Sequence, residues 1–179
     1  MDIDSKVWEV LCSEEEIKDR IKELGDEISE DYKGEKLHVI SLLKGGFVFT
    51  ADLVRNIRVP LKVSFMVTSS YGHSDRSSGS VQLDYLLKDS IEGEHILVVD
   101  DITDSGITMQ NVIAHLKEKH PASVRSCVLL DKPDRRQVEL EADYIGFEIE
   151  DKFVVGYGLN YGEYYRNIPY VFAVTNVDR

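Results

Sequence analysis

The sequence predicts an α/β fold, a Rossmann-like core with a mostly parallel sheet flanked by helices. Three observations lead there. Short apolar runs, Leu37 to Leu43, Ile96 to Asp100 and Val124 to Leu130, read as buried strands. Segments with apolar residues at helical spacing lie between them, and this strand–helix–strand alternation is the pattern of a parallel sheet covered on both faces. The 179 residues are 42% hydrophobic, enough for one compact domain with a full core.

The elements follow in order. Ser13 to Glu16 is S-x-x-E, a capping box that opens a helix. Ile17, Ile21, Leu24 and Ile28 then mark its apolar stripe, and Gly34 ends the segment. After the Leu37 run comes Lys44-Gly45-Gly46, and Phe47, Ala51, Val54 and Ile57 mark a second helix. Leu61 to Thr68, rich in Val and Phe, reads as a strand. SSYGHSDRSSGS, residues 69 to 80, is a polar loop, and Val81 to Leu87 its returning strand. Met109, Val112, Ile113 and Leu116 give a third helix, which Pro121 stops. The tail alternates short strands with turns: Tyr144 to Ile149, Phe153 to Val155 and Val171 to Thr175. No internal repeat or low-complexity linker interrupts the chain.

Composition excludes several classes of function. A net charge of −12 repels nucleic-acid phosphate and anionic lipid. Cys12 and Cys127 make neither a metal nor a redox spacing, and Cys127 sits in an apolar run as a buried thiol. The first residues, MDIDSKVWEV, lack a basic n-region, and no apolar run is long enough to cross a bilayer. The expectation is a cytoplasmic protein with no nucleic-acid or membrane partner. The five histidines form no ligand spacing. Arg135 and Arg136 read as a solvated pair, and Trp8 and the tail tyrosines as packing residues.

The most informative stretch is ILVVDDITDSGITMQ, Ile96 to Gln110. Small residues at a strand-to-helix turn, Thr103, Ser105 and Gly106, let backbone amides converge on a phosphate with help from the helix dipole. Hydroxyls of Thr103, Ser105 and Thr108 add donors, and Gly106 permits a tight turn. Neither the Walker A pattern nor G-x-G-x-x-G is present. The acids need other work. Asp100 and Asp101 can accept from sugar hydroxyls or reach a magnesium ion, and Asp104 can act as a general base. Ordinary capping would also explain an Asp in such a turn. Strand, acid pair, small polar loop and helix together are far more specific.

VVDDITDSGITM resembles the phosphoribosyl-diphosphate signature of type I phosphoribosyltransferases. SLLKGG (41 to 46), SSYG (69 to 72), LLDKP (129 to 133) and FEIEDKFVVGYGLNYGEYYRNIPYV (147 to 171) are similar to successive segments of bacterial hypoxanthine/guanine phosphoribosyltransferases. The resemblance implies the type I phosphoribosyltransferase fold: a single domain over 1–179, a core of about residues 35–132, and a small hood from the N-terminal segment and the C-terminal tail. It implies a purine-salvage enzyme that transfers the 5-phosphoribosyl group from phosphoribosyl diphosphate to hypoxanthine or guanine, forming a purine nucleoside monophosphate and pyrophosphate.

The resemblance also implies roles. Lys44 and Gly45 meet the pyrophosphate, with the Leu43–Lys44 peptide bond often cis. Ser70 and Tyr71 belong to a lid that excludes water from an oxocarbenium-like transition state. Asp100 and Asp101 face the ribose hydroxyls and Mg²⁺. Asp104 takes the proton from the purine. Ser105, Gly106 and Thr108 hold the 5′-phosphate with the loop backbone, Ile107 lying among them with its side chain packed or pointing away. Lys132 donates to the 6-oxo group of the purine, Phe153 stacks on the ring, and Val154 offers backbone groups to its edge. Arg166 binds pyrophosphate through its forked donors.

One position departs from the family pattern. Asn160 stands where an Asp usually binds a second magnesium ion. Asn keeps a carbonyl oxygen that could ligate metal or meet the base, but lacks the charge. Assembly as a homodimer or homotetramer is also implied. Two rivals remain: a phosphoribosyl-diphosphate-sensing regulator of the same fold, and a transferase preferring xanthine.

Overall fold

The computed structural model describes residues 8–69, 82–85 and 90–174. The lid positions Ser70 and Tyr71, and most of the polar loop around them, lie outside these residues.

A six-stranded sheet forms the centre. Its strands are β2 (Leu37–Leu43), β3 (Leu61–Ser69), β4 (Gln82–Tyr85), β5 (His95–Thr103), β6 (Ser123–Asp131) and β7 (Tyr144–Glu148). The order across the sheet is β4-β3-β2-β5-β6-β7, with only β4 antiparallel to its neighbour. Helices α1 (Glu14–Asp31) and α2 (Phe47–Val54) pack on one face, and α3 (Ile107–Lys117) on the other. Successive residues of the central strands therefore serve two cores. Val39, Leu97, Val99 and Leu129 join α1 and α2, while Ile40, Leu42, Val98 and Val128 join α3. This double burial explains why those strands are apolar throughout instead of alternating.

The capping box forms as expected. Ser13 accepts from the Glu16 amide, and Glu16 accepts from the Ser13 amide at 2.8 Å. Ile17, Ile21, Leu24 and Ile28 are buried, and the chain leaves the helix through Gly34 at φ +86°.

Three boundaries differ from the sequence expectation. The ladder between β5 and β6 continues through Ile102–Leu130 and Thr103–Asp131, so β5 runs past Asp100 to Thr103. α2 ends at Val54, short of Ile57, although Ile57 is still buried. α3 ends at Lys117, before Pro121, and His120 turns the chain at φ +57°.

A second, antiparallel sheet has the order β1 (Trp8–Cys12), β9 (Val171–Val174), β8 (Val154–Val155). Cys12, Val154 and Val171 from this sheet join the apolar cluster of α1 and α2. Among the described residues, no helix is long and apolar enough to cross a membrane.

Candidate active site

Strand order reverses between β2 and β5, since β3 lies on one side and β6 on the other. A crevice opens at the carboxyl ends of strands at such a switch point. A cavity of about 210 Å³ lies there, walled by Gly45, Asp100, Asp101, Ser105, Gly106 and Thr108. The loops after β2 and β5 line it, and the loop after β6 backs the β5 loop, the Lys132 amide donating to the Thr103 carbonyl.

The turn after β2 is packed against the end of β5. A methyl group on Gly45 would lie 1.8 Å from Asp101 Oδ2, and one on Gly46 would lie 2.7 Å from the Leu42 carbonyl oxygen. Gly158, at φ +100°, packs against this turn from the tail; a methyl there would lie 2.2 Å from the Gly45 carbonyl oxygen. These glycines are required by close approach of backbone to backbone and backbone to acid. The peptide bond between Leu43 and Lys44 is cis. The Lys44 side chain is largely exposed, 3.9 Å from Glu163 Oε2.

Asp100 and Asp101 are the last acids of β5. Burial raises the Asp100 carboxyl well above its ordinary range, and the neighbouring Asp101 charge adds to the rise. Burial raises Asp101 as well, opposed by its hydrogen bond with Asp100, by backbone amides and by the charge of Arg166. The Asp101 amide donates to Asp100 Oδ1 at 2.9 Å, and the Ile102 amide to Asp101 Oδ1 at 2.9 Å. Two desolvated carboxylates at one strand end are hard oxygen donors of the type Mg²⁺ takes. Among the described residues, no cluster of three or more His, Cys, Asp or Glu is arranged to hold a metal.

The loop from Thr103 to Gly106 has its carbonyls claimed from one side. The Lys132 amide donates to the Thr103 carbonyl at 3.0 Å, Arg136 Nη1 to the Asp104 carbonyl at 2.9 Å, and the Gln137 amide to the Ser105 carbonyl at 2.9 Å. In a trans peptide the N–H points opposite to the C=O. The amides of Asp104, Ser105 and Gly106 are thereby turned away from segment 132–137. Gly106 then enters α3 at φ +82°, where the first amides of the helix have no intrahelical partner. Ser105 Oγ accepts from the Ile107 amide at 3.4 Å, Thr108 is half-buried, and Ile107 is exposed. Thr103 is buried, and its hydroxyl has no hydrogen-bond partner among the described residues.

Arg136 corrects the sequence reading. It is not solvated: its side chain is 16% exposed and forms an ion pair with Asp131, itself 5% exposed. The same guanidinium that reaches Asp131 holds the Asp104 carbonyl. A side chain at Gly106 would crowd both this arginine and Val138, since a methyl there would lie 2.9 Å from Arg136 Cδ and 2.9 Å from Val138 Cγ2. Neighbouring Arg135 lies 3.3 Å from Asp104 Oδ1, so it is paired as well.

The remaining residues lie on the loop after β6 and on the C-terminal tail. Lys132 is buried, and its Nζ donates to the Lys152 carbonyl at 2.7 Å. Phe153 is 44% exposed and meets Tyr161 edge-on, ring centroids 5.8 Å apart. Val154 is buried in β8, paired with Ala173. Arg166 Nη1 donates to the Gly158 carbonyl at 2.6 Å, within the turn that packs on Gly45. Asn160 Nδ2 donates to the Gly162 carbonyl.

This arrangement defines a class: an anion-binding loop beside paired acids in a switch-point crevice. The model of the phosphoribosyl transferase domain matches residues 8–162. A hypoxanthine-guanine phosphoribosyltransferase of Aquifex aeolicus is 47% identical over 174 residues, 97% of this chain and 98% of that protein. That of Bacillus subtilis is 45% identical, covering 92% of each chain. A crystal structure of the Bacillus anthracis hypoxanthine-guanine phosphoribosyltransferase superimposes with a TM-score of 0.88 at 40% identity, covering 96% of this chain and 99% of that one. The chain belongs to the phosphoribosyltransferase family, in its hypoxanthine-guanine branch.

Proposed function

We propose that this chain is a purine-salvage enzyme that moves the 5-phosphoribosyl group of phosphoribosyl diphosphate onto hypoxanthine or guanine. The C1′–oxygen bond to pyrophosphate breaks, a C1′–nitrogen bond to the base forms, and the base loses a proton. The observation that carries the proposal is the triple tether of the loop carbonyls at Thr103, Asp104 and Ser105. It turns three consecutive amides toward one side, next to the free N-terminus of α3. A 5′-phosphate fits such a nest, and the partnerless Thr103 hydroxyl offers a further donor.

Asp100 and Asp101 would hold the ribose hydroxyls and Mg²⁺, with Asn160 as a weaker ligand for a second ion. The raised affinity of the acid pair for protons supports this, because a divalent cation offsets the repulsion that burial magnifies. Magnesium, when bound, would neutralise the departing pyrophosphate. Lys44, Gly45 and Arg166 complete the pyrophosphate side, and Ser70 and Tyr71 the lid.

Asp104 accepts the proton from the purine. Lys132 donates to the 6-oxo group. One of its three N–H bonds is used on the Lys152 carbonyl, which aims the remaining donors. Phe153 stacks on the base, and Val154 meets its edge. The base wall, on this reading, belongs to a hood of N-terminal segment and tail above a core of about residues 35–132. Assembly into a homodimer or homotetramer is proposed on the resemblance alone, and sedimentation measures it.

The test is a panel of hypoxanthine, guanine, xanthine and adenine, each with phosphoribosyl diphosphate and magnesium. Nucleotide should form from hypoxanthine or guanine and not from adenine. No nucleotide from any 6-oxopurine would overturn the proposal.

A further inference from the structure

Arg135 stands between two carboxylates that come from different loops. Its Nε lies 3.3 Å from Asp104 Oδ1, and its Nη1 lies 3.3 Å from Asp151 Oδ2. Asp104 belongs to the loop after β5. Asp151 lies two residues before Phe153. The two acids raise the Arg135 guanidinium above its usual range, the charge of Asp104 being the largest single cause.

Asp151 is also 3.9 Å from Lys132 Nζ, which holds the Lys152 carbonyl. The Lys152 ammonium in turn reaches Glu9 of β1 at 3.1 Å. Residues 151–153 are thus tied from one side by Lys132 and across to the phosphate loop by Arg135. Without the guanidinium, two like charges would stand in facing walls. A planar fork can hold both acids at once; a point charge can satisfy one.

We propose that Arg135 is a positioning residue that couples the phosphate loop to the wall carrying Phe153, by bridging Asp104 and Asp151. The proposal rests on the reading above that this wall takes the purine. A ligand that spans both walls, such as a 6-oxopurine nucleoside 5′-monophosphate, feels the bridge. Phosphoribosyl diphosphate, which has no base, does not. All three side chains are 38–46% exposed, so the effect is that of a screened ion-pair network and not of a buried charge.

Three variants test this: Arg135→Met, Arg135→Lys and Asp151→Asn, with the double variant of the first and third. In Arg135→Met, the Kd for inosine monophosphate and the KM for hypoxanthine should rise about three- to fivefold, the upper part of the range of such pairs. The Kd for phosphoribosyl diphosphate should stay within about twofold of that of the unaltered enzyme. Asp151→Asn should reproduce the Arg135→Met loss, and the double variant should lose no more than either alone. Arg135→Lys should recover part of the loss. Equal weakening of nucleotide and phosphoribosyl diphosphate, unchanged nucleotide affinity, or additive losses in the double variant would each overturn the coupling. Failure of the unaltered chain to bind inosine monophosphate would sink the functional reading, and it shows before any variant is made.

Discussion

The carboxylate of Asp101 rests on the Cα of Gly45, where a methyl group would lie 1.8 Å from Oδ2. The contact joins the loop after β2 to the end of β5, the two strands flanking the switch point. Gly45→Ala must push Asp101 aside or break the turn, whose Gly45 carbonyl is also in close contact with Gly158. Overpacking of this kind costs about 1–3 kcal/mol. Urea unfolding should show that loss. Phosphoribosyl diphosphate binding, measured by calorimetry, should weaken by more than the stability change explains. Wild-type affinity would show that the Gly45–Asp101 contact does not shape the site.

Arg136 and Asp131 form a nearly dry ion pair, and Arg136 also holds the phosphate-loop backbone. Removing one partner of a buried pair leaves the other charged and unsatisfied, at a cost of about 3–5 kcal/mol. Arg136→Met should therefore destabilise strongly. Adding Asp131→Asn to it should recover part of the stability but not the affinity for phosphoribosyl diphosphate, because the Asp104 carbonyl stays untethered. Recovery of both in the double variant would reduce Arg136 to a packing role.

These two relationships differ in how far the sequence reveals them. Gly45 and Gly46 stand out in a short run after an apolar strand, and their place at a strand end is legible. The contact with Gly158 is not, since it depends on how the tail returns over the core. The sequence stops the strand at Asp100, with Asp101 just beyond it, because acids are poor strand residues. Pairing with β6 overrides that preference and carries the strand through them to Thr103. Arg136 gives no signal at all. A polar dipeptide after a proline reads as solvated, and only the fold brings Asp104 to the same guanidinium. α1, by contrast, is legible from end to end, because its cap, its stripe and its terminal glycine are all local. The second sheet is the opposite case: β1 and β9 come from far ends of the chain, and β8 is two residues long.

Stability at low pH should report a contact far from the site. Asp31, at the end of α1, is held below the usual carboxylate range, first by the Tyr144 hydroxyl at 2.6 Å and then by Arg125 at 2.7 Å. A group whose pKa is depressed on folding adds stability above its unfolded value, near 4, and loses it as pH falls through the folded value. Asp31→Asn should lower the urea midpoint at pH 7, and its deficit should shrink as pH falls below about 4. A deficit that stays constant from pH 7 to pH 3 would assign the contact to packing and not to charge.

Asn160 tests the metal scheme. Its Nδ2 donates to the Gly162 carbonyl, so Asn160→Asp replaces a donor with a charged acceptor. That loosens the local turn and frees a hard anionic ligand, which magnesium prefers to an amide oxygen. The magnesium concentration for half-maximal rate should fall several-fold, with the base KM little changed. An unchanged magnesium dependence would remove position 160 from the metal site.

Asp104 carries the sharpest chemical expectation, because its backbone and its carboxylate have separate tasks. Its carbonyl is fixed by Arg136, and its side chain, 43% exposed, stands beside Arg135. Asp104→Asn keeps size and shape, so the carbonyl tether and the amides of the loop should persist. What it removes is the proton acceptor. General-base catalysis typically contributes about 10²- to 10⁴-fold, and kcat should fall within that range. The Kd for phosphoribosyl diphosphate should change by less than about threefold, since the phosphate is held by backbone amides that the substitution leaves in place. Near-normal turnover would remove Asp104 as the base. A parallel collapse of phosphoribosyl diphosphate binding would instead mean that the carboxylate, through Arg135, is needed to shape the loop itself.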